Sequence, residues 1–461
     1  MAASLTELLQ DPLFLSFAQQ RPVATMAQMT LRHLLDDQAL TQVFNDHAQS
    51  QRQVSIPFAA LTQMLASVVL CQEPSVNAGI KKKLHDLKAT HQATYGKLQR
   101  VETSTSQGLV RYSYRRLVEA YKTLGSVRRP DLAGYETRIL DGNHLAATEH
   151  RLAETRNSTA APLPGKTLVV YSPRYDAIVD CFPIEDGHAQ ERSALDAVLA
   201  TVRARQLWVA DCNFCTRKFL YEVAATRAMF LVRQHGLLEG QALSKQRRVG
   251  RTETGEVFEQ TFQLPEFDGR SLVIRRVIVK LNQATRDGDR ELNVLTNLPC
   301  GEVDALQIAE QYRQRWRIET VMQRLTESFR CEIRPLCYPK AALFGFAIAL
   351  VMYNVLSIVQ AAIEATHGRD TGRTLSHYYL ALEIAQATDG LLIALPATRW
   401  SCLATVSSEE FAASMRRIAE KMNLTYYAKS PRGPKKPKTK PRHQRRNVHV
   451  STKKLLDARK N

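Results

Sequence analysis

The chain reads as an α/β protein, a mixed-sheet domain set between two helical regions. Three observations predict this. Short apolar runs alternate with helical periodicity between residues 129 and 345, and apolar residues recur at intervals of three and four before and after that stretch. The 461 residues are also too many for one ordinary domain, and at 44% hydrophobic they can bury a large core.

Residues 1–128 form the first helical region, with periodic apolar positions in TMAQMTLRHLLDDQALTQVF and FAALTQMLASVVL, broken at Pro57 and Pro74. Its second half is basic, from Lys81 to Arg116, which suits either a DNA-touching module or a solvated face. Strand signals follow. YETRILD ends at Asp141, KTLVVY spans Lys166 to Tyr171, and YDAIVDCF spans Tyr175 to Phe182 after a link short enough for a hairpin. A helix is expected over Glu191–Arg205, a buried strand over Leu207–Asp211, a helix over Lys218–Arg227 and a strand over Met229–Arg233. Residues 235–285 read as a β-rich insertion carrying many arginines. The strand LNVLTNL, within 286–345, returns to the core. Asp304 and Gln307 form a capping-box pattern that opens one long helix to Phe329.

Residues 346–427 are helical. The apolar run Ala341–Ile363 is long enough to span a bilayer, but Asn354, Ser357 and Gln360 interrupt it, so it reads as a buried core helix. From 428 to 461 the chain is basic and proline-rich and is expected to be disordered until it meets an anion. Thirteen of its residues are Lys or Arg against one acid, so it carries +12 of the net +18. That balance favours a polyanionic partner, nucleic acid first. Eight cysteines without framework spacing, and no apolar leader in MAASLTELLQDPLF, place the expected compartment in the cytoplasm, with reduced thiols. Cys212 and Cys215 lack the second pair that a zinc site would want.

The chemistry centres on three acids. Asp141 and Asp211 each close an apolar strand, where an unpartnered carboxylate would be costly. Tyr312, Arg315 and Glu319 are spaced i, i+3 and i+7, on one helical face. Two strand aspartates and a helix glutamate suit a pair of hard divalent cations acting on a phosphodiester, with Arg315 placed to take up phosphoryl charge. Taken singly, each acid is equally at home as a solvated or capping residue, and Glu319 as the i+4 partner of Arg315.

DGNH, VADCNF and YRQRWRIE resemble the three signature regions of bacterial insertion-sequence DDE transposases, the group marked by a Tyr-x2-Arg-x3-Glu-x6-Lys motif. The resemblance implies a ribonuclease H-like core in which Asp141, Asp211 and Glu319 bind Mg²⁺, with Mn²⁺ able to substitute. It implies double-stranded DNA as partner, cleavage and strand transfer at transposon ends, a homodimer in a synaptic complex, and DNA phosphate contacts from Tyr312 and Arg315. Thr326 stands where the motif has lysine, so Arg324 or Arg330 is expected to supply that contact. Trp316 is expected to pack behind the site, and Phe258 and Phe262 to be core residues. The alternatives are a structure-selective nuclease on the same fold, and a DNA-binding protein derived from an inactive transposase.

Overall fold

The computed structural model describes residues 4–50, 56–85, 87, 89–145, 148–285, 288–430, 433 and 449–459. Its strands are β1 (Glu136–His144), β2 (Ala161–Leu163), β3 (Lys166–Ser172), β4 (Ala177–Ile184), β5 (Gln206–Ala210), β6 (Met229–Arg233), β7 (Gln241–Ala242), β8 (Arg247–Arg251), β9 (Gly255–Gln263), β10 (Val273–Leu281), β11 (Glu291–Thr296) and β12 (His449–Ser451). The main sheet runs β4-β3-β1-β5-β6-β11-β10-β9-β7, with β8 also on β9. In this sheet the β1–β5 and β5–β6 pairings are parallel and the others antiparallel, the mixed ribonuclease H-like arrangement expected.

Alternation along the strands builds two cores. Leu140, Leu168, Trp208 and Phe230 point to one side, where Phe219, Leu220 and Val223 of the Arg217–Ala225 helix cover them. Ile139, Val169, Val209 and Leu231 point to the other, into a core shared with the helical regions. The insertion is not a separate layer. β11 pairs β6 on one side and β10 on the other, so the insertion extends the core sheet.

The Pro339–His367 helix is the one helix among the described residues long and apolar enough to cross a bilayer, and it is buried almost throughout. Its polar residues explain why. Asn354 accepts from the Ile178 N–H (2.8 Å) and donates to the Ile178 carbonyl (2.9 Å) and to Ser113 Oγ (3.0 Å). It thereby satisfies the outer edge of β4, which no further strand pairs among the described residues. Next to it, the turn before β4 carries Asp176 at a positive φ of 52°. The Asp176 carboxylate accepts from Tyr171 Oη (2.6 Å), Tyr353 Oη (2.9 Å) and Arg128 Nη2 (2.8 Å), and Arg324 Nη1 stands 3.5 Å away. Burial alone would push its pKa up, but Arg128 and Arg324 more than offset that and hold it far below the usual carboxylate range.

Several boundaries differ from the expectations. β1 continues past Asp141 to His144 because β3 stays paired with it there. The Glu191 helix is short, a 3₁₀ turn over Glu191–Ala194 followed by Leu195–Leu199. The long helix is capped by Asp304 and Gln307 as expected but breaks into Ala305–Arg313 and Arg317–Ser328 around a 3₁₀ turn, Gln314–Trp316.

The basic run at 431–448 lies outside the described residues, Gly433 apart. Beyond it the expectation of disorder fails. β12 pairs in parallel with β2, and Thr452–Ala458 is helical, held by Lys454 to Asp186 (3.3 Å) and Arg459 to Glu154 (2.7 Å). Basic composition hid a short segment that finds acids on the fold surface. The basic stretch of the first helical region is likewise partly engaged internally, with Lys82 paired to Glu73 (2.9 Å) and Arg111 to Asp180 (2.8 Å).

Removing the Asp176 charge leaves Arg128 and Arg324 without their shared carboxylate. Asp176→Asn is therefore expected to lower unfolding stability by about 3–5 kcal/mol in denaturant titrations. A loss under about 0.5 kcal/mol, the size of an ordinary surface change, would remove this account of how the turn is held.

Candidate active site

The parallel register of β1 and β5 pairs Ile139 with Val209. Two residues on, the same register brings Asp141 beside Asp211, both on the face that Ile139 and Val209 share. β5 stops at Ala210, which opens a gap at the sheet's C-terminal edge. Asp211 turns the chain there, its carboxylate accepting from the Asn213 N–H (2.9 Å). The helix pair Ala305–Arg313 and Arg317–Ser328 lies over this face and presents Tyr312, Arg315 and Glu319.

Arg315 binds the acids together. Its Nη2 donates to Glu319 Oε1 at 3.0 Å, and its Nη1 lies 3.5 Å from Asp141 Oδ2. The Arg315 side chain is 13% exposed, Asp141 21% and Glu319 42%, so the charges interact in a largely desolvated place. Burial pushes the Asp141 carboxyl up to about 6. Arg315 opposes that rise, while Asp211 and Glu319 add to it. Burial also raises the Tyr312 phenol, which lies between Arg315 and Asp211 and feels opposite influences from them.

Two acids, Asp141 and Glu319, thus share one guanidinium, and the Asp211 carboxylate lies near enough to act on both Asp141 and Arg315 through its charge. Among the described residues no three His, Cys, Asp or Glu groups stand close enough to hold an ion, and the Arg315 guanidinium is the group that contacts both Asp141 and Glu319. The donor set nevertheless suits a hard divalent cation by its chemistry, all carboxylate oxygens, with the Asp141 charge disfavoured first by burial and further by Asp211 and Glu319.

Two neighbours were not legible in the sequence. A Cβ on Gly142 would run into the Glu191 carboxylate, so the glycine makes room for a fourth acid rather than turning the chain. Asn213 lies 3.5 Å from that carboxylate. Trp316 is 63% exposed, with the Arg315 guanidinium 5.6 Å from its ring, and so does not pack in the core as expected. The 3₁₀ turn rotates it outward. Phe262 is a core residue, 2% exposed.

Arg324 and Arg330 are not brought to the carboxylates. Arg324 faces Asp176 and Tyr353. Arg330 donates to the carbonyls of Glu73 (2.8 Å) and Pro74 (2.9 Å), joining the catalytic core to the first helical region. Thr326 is exposed and bonds its own helix.

Residues 133–355 match the family model of the transposase DDE domain. The match supports a DDE transposase, a class of metal-dependent enzymes that recombine DNA. It takes in Asp141, Asp211 and Glu319 together with the strands and helix that carry them. A search of curated proteins finds no match.

The raised Asp141 pKa has a sign that can be tested without metal. The folded state binds its proton more tightly than the unfolded chain, so this group's contribution to stability falls as pH rises from about 4 through 6. Asp141→Asn lacks that loss. In chelator it is expected to be more stable than the parent by on the order of 2 kcal/mol at pH 8, the gap closing below about pH 4. A gap that does not change with pH would show that burial does not disfavour the charged form of Asp141.

Proposed function

We propose that the protein is a Mg²⁺-dependent DNA transposase of the group with the Tyr-Arg-Glu-Lys signature. In this reading it cleaves at transposon ends and joins the 3′ ends to target DNA, working as a homodimer on two ends. The observation that carries the reading is the pairing of Asp141 and Glu319 with one guanidinium and the nearness of Asp211 to Asp141, within the segment that matches the transposase DDE domain.

Asp141, Asp211 and Glu319 would hold the divalent ions, which supply charge to activate an attacking hydroxyl and to stabilise the leaving oxygen. The chain's own residues do the rest. Arg315, released from Asp141 and Glu319, turns its fork to a phosphate of the DNA strand, a geometry that guanidinium matches well. Tyr312 is 8% exposed and within electrostatic reach of Arg315, so the phosphate contact expected of this pair falls to the arginine. Trp316, exposed and next to Arg315, offers a face on which an unpaired base at the cleaved end can stack. Arg324 and Arg330 serve the fold, so the phosphate contact that lysine makes in the motif is absent from Thr326 and is not made by those two arginines.

With end DNA and Mn²⁺, Asp141→Asn, Asp211→Asn and Glu319→Gln are each expected to cut nicking at least about a thousandfold, the scale of losing several kcal/mol of metal stabilisation. Binding of end DNA should persist in all three. Full nicking in any one of them would exclude that residue from the site. Trp316→Ala should weaken binding of pre-cleaved ends by about 1–3 kcal/mol, with uncut duplex unaffected. Equal effects on both substrates would remove the stacking role. Joining of pre-cleaved ends to a target plasmid separates a transposase from a nuclease on the same fold.

A further inference from the structure

We propose that a basic cleft on the reverse side of the Arg317–Ser328 helix is a second DNA contact, one that grips the sugar-phosphate backbone of a single strand. This rests on the transposase reading above. The cleft is a cavity of about 390 Å³ between that helix, the Pro339–His367 helix and the Arg369–Thr374 helix. Seven of its twelve lining residues are Arg or Lys, against two acids, Asp131 and Glu364.

The charges fall into two sets. Arg128 and Arg324 are absorbed by buried Asp176, and Arg317 by Asp131 at 3.2 Å. The other four, Arg129, Arg369, Arg373 and Lys429, lie on the rim, where Arg369 donates to the Val127 carbonyl (2.8 Å) and Lys429 to the Arg373 carbonyl (2.5 Å), both acceptors being neutral. Arg373 pairs with Asp370 at 3.3 Å, but the two side chains are 78% and 97% exposed, so water screens the pair and an incoming anion displaces it at little cost. Arg369 and Arg373 are four residues apart on one helix, hence on one face about 6 Å from each other. Cations set in a row suit a chain of phosphates better than one small anion, and the cavity is too small for a duplex.

The placement separates this cleft from the carboxylates. Arg317 and Arg324 are seven residues apart and share a face, while Glu319 lies about 200° round the helix from Arg317. DNA that reaches the carboxylates on one side can therefore lay a strand against the cleft only by passing round the helix. That requires an unpaired or sharply bent segment, such as a strand freed at a cleaved end.

The test uses the full chain and the Arg129→Ala/Arg373→Ala double variant, whose side chains are exposed and outside the carboxylate site. Anisotropy titrations over a salt series compare a mixed-sequence duplex with the same duplex carrying a 3′ single-stranded extension. The variant is expected to lose about tenfold in affinity for the extended DNA, with a salt slope shallower by about 1.4, some 0.7 for each single-strand phosphate no longer neutralised. The blunt duplex should change less. Unchanged affinity and slope, or equal losses on both DNAs, would overturn the proposal. So would tripolyphosphate binding that the variant abolishes while its DNA binding stays intact, since that would make the cleft a site for a free polyanion. Nicking by the parent chain at saturating DNA reports on the carboxylates, so failure of the transposase reading is seen separately.

Discussion

The candidate site depends on one guanidinium. Three carboxylates gathered at the edge of a largely buried sheet face repel one another, and burial makes the repulsion worse. Arg315 makes that arrangement tolerable by standing between Asp141 and Glu319. Its position follows from the break at Gln314–Trp316, which joins two helical segments and turns Arg315 inward while Trp316 faces solvent. A straight helix would also place Tyr312, Arg315 and Glu319 on one face, but it gives no reason for the adjacent tryptophan to be exposed.

The remainder of the molecule holds that sheet and helix in register. The Pro339–His367 helix closes the outer edge of β4 through Asn354 and braces the turn through Tyr353 and Ser357. Asp176, at the centre of that brace, is also where Arg324 of the Glu319 helix is fastened. Arg330 ties the end of the same helix to the first helical region. The Glu319 helix is thus anchored by Arg324 near its middle and by Arg330 just past its end, and both arginines serve the scaffold.

Much of this was legible in the residues. Strand β6 at Met229–Arg233, the Asp304 capping box and the burial of the apolar helix follow from local pattern. The candidate acids were legible only jointly, because a carboxylate after a run such as LWVA also serves as a cap, as Asp211 does for the turn that follows it. What was not legible depends on contacts distant in sequence. Glu191 looks like any first-turn acid until Gly142 is seen beside it. The partners of Arg324 and Arg330 lie far off in the chain, Asp176 for the one and Glu73 and Pro74 for the other. The union of the insertion with the core sheet needs β11 to pair on both sides. The last strand and helix were hidden by a basic run whose composition says nothing of Val450 or Leu455.

The most direct test of the central claim is calorimetric titration of Mn²⁺ into the Arg315→Ala variant, compared with the parent. If Arg315 supplies the positive charge that the three carboxylates otherwise lack, its removal should tighten Mn²⁺ binding, and Asp211→Asn in the same background should abolish the gain. Weaker Mn²⁺ binding on loss of the arginine, or a gain indifferent to Asp211, would contradict the account.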